Sequence, residues 1–390
     1  MLEERGMDVT PFTIDIPGAV LDDLFRRLEM IRWPGESPGA NWDYGTNLGY
    51  IQELVAYWRR RFDWRAQEKR LNAFHHYKAT VDGLGIHFIH EKGQGPHPLP
   101  LVITHGWPGS FFEMYKLIPQ LMDPSSHGGD PADAFDVVVP SMPGYGFSEH
   151  STQRGMHVLK IADLWTKLMT EGLGYQRFGA QGGDWGASVT NYLGFAYPNN
   201  LIGIHTTSMT RPTPYLGPGS RALSAAEQTL LVQREAWLQA EGGYSHIQGT
   251  KPQTLSYGLN DSPAGLAAWI VEKYRTWSDC HGDVESRFTK DELLTTITLY
   301  WVTQSISSST RLYYETQRHP WTMRQGERVT VPTAMAAFPK EISRPPREWG
   351  ERSFNVQRWT EMPRGGHFAA LEEPELLAED IRAFFRPLRD

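Results

Sequence analysis

Residues 177–192 read Arg177-Phe178-Gly179-Ala180-Gln181-Gly182-Gly183-Asp184-Trp185-Gly186-Ala187-Ser188-Val189-Thr190-Asn191-Tyr192. Asp184 sits inside Gly182-Gly183-Asp184-Trp185-Gly186, a small-x-nucleophile-x-small pattern. Where a chain doubles back tightly from strand to helix, glycines remove the Cβ atoms that would collide. They also tolerate strained dihedral angles. The pattern is that of a nucleophile elbow with Asp where esterases carry Ser. An ionised carboxylate needs no base to activate it, and it attacks sp³ carbon to give an alkyl ester. The plainer reading is a strand–turn–helix junction whose Asp caps the helix. The rest of the chain has to decide between them.

Outward from the elbow the chain alternates. Short strands are expected at 99–104, 135–140, 178–181 and 201–206, with a helix at 186–197. Tyr77 to His90 reads as a hairpin about Asp82-Gly83. Strands alternating with helices predict βαβ units and a mostly parallel sheet. Chemistry in such sheets lies beyond the carboxyl ends of the strands. Residues 210–325 break the rhythm, starting Pro-rich (Arg211-Pro212-Thr213-Pro214) and continuing helical with many aromatics. The sheet resumes at Val329, and a final helix is expected at 374–386. Residues 1–75 read as amphipathic helices, one over 19–32 and one over 48–63. The expected fold class is α/β, the α/β-hydrolase fold, with a mostly parallel central sheet flanked by helices. The division expected is an N-terminal extension at 1–75 packing on core and lid, a core at 76–209, a helical lid at 210–325 and the core again at 326–390.

Composition narrows the function classes. The net charge of −7 argues against a nucleic-acid partner. The single cysteine, Cys280, rules out an internal disulfide and a Cys-based zinc site. No metal and no cofactor are expected. The first 27 residues lack a basic start followed by an apolar run, so no signal peptide is expected. No apolar run is long enough for a membrane span.

The elbow needs partners. His105-Gly106-Trp107-Pro108-Gly109 follows the first strong strand. Backbone N–H groups must hold the anion formed when an ester breaks down. In this fold they come from the residue after the nucleophile, here Trp185, and from the loop after an early strand, here Trp107. His105 is expected to hold its loop by hydrogen bonds. A base belongs late in the chain, and His367 lies in Arg364-Gly365-Gly366-His367-Phe368, on the last loop before the final helix. Glu341, in Phe338-Pro339-Lys340-Glu341, follows a core strand and can orient it; Glu315 and Glu373 are poorer candidates because neither directly follows one. Asp184, Glu341, His367 is the nucleophile–acid–base order of this fold. An epoxide substrate would also need a proton donor at its oxygen, which Tyr supplies. Chemistry alone does not pick Tyr244 or Tyr313 from sixteen tyrosines.

Taken together, these stretches resemble the microsomal-type epoxide hydrolases, which include juvenile hormone epoxide hydrolases and soluble bacterial and fungal relatives. The resemblance spans nearly the whole chain. It also rests on Asn41-Trp42-Asp43-Tyr44-Gly45, Gly243-Tyr244-Ser245-His246-Ile247-Gln248 and Leu259-Asn260-Asp261-Ser262-Pro263. It implies Tyr244 and Tyr313 as the two lid donors, with neighbouring Tyr314 leaving the second register open. Trp107, Trp185, Tyr244, Tyr313 and Phe368 are the expected substrate contacts. Membrane-bound members begin with an anchor helix, and the chain starts at the leading segment, so no membrane anchor and a cytoplasmic location are expected.

The implied reaction turns a hydrophobic epoxide and water into a vicinal diol, an ether-bond hydrolysis serving detoxification or secondary metabolism. A homodimer is left open. The alternatives are a haloalkane dehalogenase, whose halide Trp107 and Trp185 would serve, and a non-catalytic ligand-binding protein of the same fold. A serine esterase is disfavoured because Ser188 lies past the elbow tip.

Overall fold

The structure, a computed structural model, describes residues 7–389. The first six residues of the stretch read for a leader, and Asp390, lie outside the described residues. Nine strands form one sheet in the order β1-β2-β3-β5-β4-β6-β7-β8-β9. They are β1 (Val9–Phe12), β2 (His76–Val81), β3 (Leu84–Glu91), β4 (Leu99–Thr104), β5 (Phe135–Pro140), β6 (Phe178–Gly182), β7 (Leu201–Thr206), β8 (Val329–Ala337) and β9 (Phe354–Glu361). The β2–β3 hairpin turns at Asp82 and Gly83, both with positive φ (49° and 78°), as a two-residue turn matched to strand twist requires. From β5 through β9 the neighbours run parallel. Their apolar cores, Leu101-Val102-Ile103 and Val137-Val138-Val139, are wholly buried. That is the continuous pattern of strands covered on both faces.

Two strands are absent from the sequence reading. β1 puts part of the leading segment into the sheet, pairing antiparallel with β2. Four residues are too few to show a period of two, and Pro11 is compatible only with an edge. β9 pairs parallel with β8 at the other edge, and its half-exposed residues carry no apolar run. A short helix, Trp64–Leu71, is also added; Asp63 accepts the Ala66 N–H at its start.

Six helices stand between β7 and β8, from Ala225–Glu241 to Ile306–Arg318. The insert is tied at its base: Trp321 O accepts from Thr213 N–H at 3.1 Å, and Thr213 O accepts from Met323 N–H at 2.9 Å. The leading segment clasps these helices. Thr46 Oγ1 donates to Ala268 O at 2.7 Å, Tyr57 Oη donates to Asp291 at 3.0 Å, and Arg27 pairs with Asp261 at 2.5 Å. Among the described residues no helix is long and apolar enough to cross a membrane.

β4 lies between β5 and β6, so the chain leaves β4 toward one side of the sheet and returns on the other. Ligands bind at such a switch point. The loops after β4 and β6 meet there without side chains between them. A Cβ on Gly186 would strike the Thr104 carbonyl, and one on Gly106 would strike Asp184. Gly186→Ala should therefore cost about 1–3 kcal/mol, as overpacking does. A thermal melt matching the parent's would refute this close approach.

Candidate active site

Asp184 heads the helix Asp184–Ala196, directly after β6. The strained residue of the elbow is Asp184 itself, with φ +48°, and the glycines around it make room. Asp tolerates this region better than most side chains. Trp107 N–H donates to Asp184 Oδ1 at 2.7 Å, and Trp185 N–H also bonds this carboxylate. Burial pushes the Asp184 carboxyl up, while the nearby His367 charge and the two N–H groups oppose the shift.

His367 follows β9 on a loop shaped by Gly365 (φ +101°) and Gly366, where a side chain would meet the Trp277 carbonyl. Its own N–H is held by Trp277 O at 2.9 Å. His367 Nε2 lies 3.6 Å from Asp184 Oδ2, and Nδ1 lies 2.7 Å from Glu341 Oε1. Glu341 comes from the loop after β8, and the same Oε1 accepts the Ile342 N–H at 2.7 Å. Burial lowers the imidazole pKa, but the charges of Glu341 and Asp184 outweigh it and raise it to about 9. Three strand ends thus bring together the three residues the sequence placed in order. His105 holds its loop: its Nδ1 is 3.1 Å from Gly106 O, and Nε2 accepts the Met142 N–H at 3.1 Å.

The cavity over Asp184 measures about 460 Å³, inside the usual range for a small-molecule site. Tyr244 and Tyr313 both face it, with ring centroids 5.9 Å apart. Tyr244 stacks on Trp107 at 5.4 Å, and Tyr313 meets Trp185 edge-on at 4.7 Å. Burial raises both phenols, so each is a neutral donor at any working pH. Tyr314 turns away, with the Arg318 guanidinium 3.2 Å from its ring centre, and of the pair Tyr313 alone lines the cavity.

Two expected substrate contacts are placed otherwise. Phe368 does not line the cavity; it stacks on Tyr274 at 4.0 Å, beneath Trp277, and is 1% exposed. The residue after His367 points into the core because the loop turns directly into the short helix Ala369–Glu372. The Trp107 side chain is also buried, under Tyr244, so only its backbone N–H reaches the site.

Sequence reasoning missed other groups. Trp237, Leu230 and Leu238 from the first lid helix form apolar wall, and Arg211, Arg234 and Arg344 line the same cavity. Glu113 lies near the triad with its carboxyl raised by burial to about 8. Its signal was faint: one acid four residues past Gly109 in an aromatic stretch. Among the described residues no cluster of His, Cys, Asp or Glu is arranged to hold a metal ion.

The sheet, the inserted helices and the elbow define a protein of the α/β-hydrolase fold, and the family model described as "alpha/beta hydrolase fold" matches residues 100–239. A second, "Epoxide hydrolase N terminus", matches residues 9–114. Epoxide hydrolase 1 of Oryctolagus cuniculus is 41% identical, the match covering 96% of this chain and 88% of that protein. The crystal structure of juvenile hormone epoxide hydrolase from the silkworm Bombyx mori superposes with TM-score 0.86 at 30% identity, covering 100% of this chain and 96% of that one. Aspergillus niger epoxide hydrolase also gives 0.86 at 30% identity, covering 98% and 97%. The chain belongs to the epoxide hydrolase family.

Proposed function

We propose that the chain hydrolyses an epoxide to a vicinal diol through an ester on Asp184. One observation carries the mechanism. The Asp184 carboxylate is gripped by backbone N–H groups on one side and faced by a His–Glu pair on the other, in a cavity that Tyr244 and Tyr313 also line. Residues 1–75 serve as an extension clasping core and lid, 76–209 and 326–390 as the core, and 210–325 as the lid.

In the first half, Asp184 attacks a ring carbon in line. The C–O bond breaks with its electron pair on oxygen, and Tyr244 or Tyr313 supplies the proton. The carboxylate charge disappears into the ester. His367 then loses one of the two anions that hold its pKa high, and its proton passes on to restore the phenol. In the second half, neutral His367 takes a proton from water, and the hydroxide attacks the ester carbonyl. Trp107 and Trp185 N–H groups hold the oxyanion. Collapse releases the alkoxide, which takes the proton from His367. The remaining carboxylic acid returns its own proton to His367, and the starting charges are restored.

A pH dependence follows. In the free enzyme His367 is an imidazolium below about 9, the form that cannot act as base. Esterification of Asp184 should move this pKa down, so ester decay in single turnovers should gain its base at lower pH than the free-enzyme imidazole titrates by NMR. Coincident midpoints would refute the coupling.

The dehalogenase alternative is not favoured by the relatives. Turnover of styrene oxide to its diol, set against chloride release from a haloalkane, tests the choice directly. Diol formation without halide release is expected. Halide release without diol would overturn the epoxide reading. The triad's presence likewise weighs against a binding-only role.

A further inference from the structure

The cavity wall holds more positive charge than its own acids account for. Arg211 is partly buried there, with its guanidinium 5.7 Å from the ring centre of Trp185, the residue next to Asp184. Arg234, on the first lid helix, and Arg344, just past Glu341, line the same space. The carboxylates on that wall are Asp184 and Glu341, and both are engaged by the groups described above. Among the described residues no carboxylate pairs with Arg211. What bears on its charge is burial and the like charge of Arg234, and both push its pKa down.

A guanidinium cannot shed its proton to escape such a place. A buried charge without a partner is costly, and two like charges in one cavity add repulsion. The Arg211 guanidinium lies over the Trp185 ring at 5.7 Å, near the outer limit of a cation–π contact, which offsets only part of its charge. The protein as a whole is acidic, at −7, so a cluster of arginines here is not a sampling of its surface. Leu230 and Trp237, four residues before and three after Arg234 on the same helix, offer apolar wall beside it.

We propose that the preferred substrate is an amphipathic epoxide carrying a carboxylate, with Arg211, backed by Arg234, binding that carboxylate while the apolar body lies on Trp237 and Leu230. The inference rests on the epoxide hydrolase reading and narrows its substrate class. Bidentate Arg–carboxylate pairing is the strongest fit for a planar anion, and a charge-assisted hydrogen bond in a half-buried site makes a sizeable contribution. The advantage over a neutral analogue should be roughly 10- to 100-fold in kcat/KM, carried mainly by KM because the anion is bound in ground and transition states alike.

The test compares 4-(oxiran-2-yl)benzoate with its methyl ester on the parent enzyme, at low and at high salt. The acid should be favoured by about tenfold or more, and the advantage should shrink as salt rises. Arg211→Gln should abolish the preference by raising KM for the acid by about tenfold more than for the ester. Arg211→Lys should keep part of the preference, as a cation without the fork. Equal use of acid and ester by the parent would overturn the anion site while leaving the epoxide reading intact. So would a loss in Arg211→Gln that falls equally on both substrates. Failure to open either epoxide would instead overturn the reading on which the site depends, and the site with it.

Discussion

Asp184→Ala is expected to reduce diol formation by at least about 10⁴-fold, because the variant loses the atom that forms the new bond and not an auxiliary to it. The N–H groups of Trp107 and Trp185 would remain, as would the His367–Glu341 pair, but none of them is a nucleophile at carbon. The pair could still activate water, so a residual rate measures direct hydration at the same site. Turnover of an epoxide within tenfold of the parent would sink the covalent route. Single turnover with enzyme in excess, in water enriched in heavy oxygen, gives the matching result on the parent. The isotope should enter the peptide containing Asp184, because water attacks the carbonyl carbon, the alkoxide leaves, and the water oxygen stays behind in the carboxylate.

His367→Ala is expected to divide the two halves of the reaction. Attack by Asp184 needs no base, so ring opening continues. Ester hydrolysis loses its general base and should slow by roughly 10²- to 10⁴-fold. The enzyme should then accumulate at the mass of protein plus epoxide, and digestion should place the adduct on Asp184. The geometry allows the division. His367 Nε2 is 3.6 Å from Asp184 Oδ2, which puts the base beside the carbonyl that water must attack once the ester has formed. Removing His367 also removes a cation that favours the ionised form of Asp184, and the carboxyl is already raised by burial. Ring opening should therefore lose some rate at acidic pH but not at alkaline pH. A variant that shows no adduct, with steady-state turnover close to the parent's, would remove His367 from the role.

Much of this architecture is legible in one dimension because its determinants are local. The strands β4 and β5 begin and end where the apolar runs do, since strands covered on both faces need nothing else. The glycines at 182, 183 and 186 announce a turn in which side chains do not fit. Backbone crowding is fixed by neighbours in sequence and by the one loop that crosses them. The chain order of Asp184, Glu341 and His367 is also local information: the first two follow strands legible as apolar runs, and His367 sits on the Gly-rich loop before the final helix.

Edge strands and cavity walls are written differently. β1 has four residues and a proline, and it becomes a strand only because β2 offers it a free edge. Phe368 sits beside the base in sequence yet belongs to the core, since one peptide step at a tight loop reverses which way a side chain faces. Tyr313 and Tyr314 are indistinguishable as letters. The facing of one helix decides that the first meets Trp185 and the second meets Arg318.

By itself, then, the sequence determined the inner strands of the sheet, the elbow and the order of the reacting groups, since strand patterning and glycine sterics act over a few residues. Tertiary structure alone decided which aromatic rings face the cavity and that Arg211, Arg234 and Arg344 share it without matching acids. Charge and shape in a cavity are sums over segments distant in sequence, and only the folded chain performs that addition.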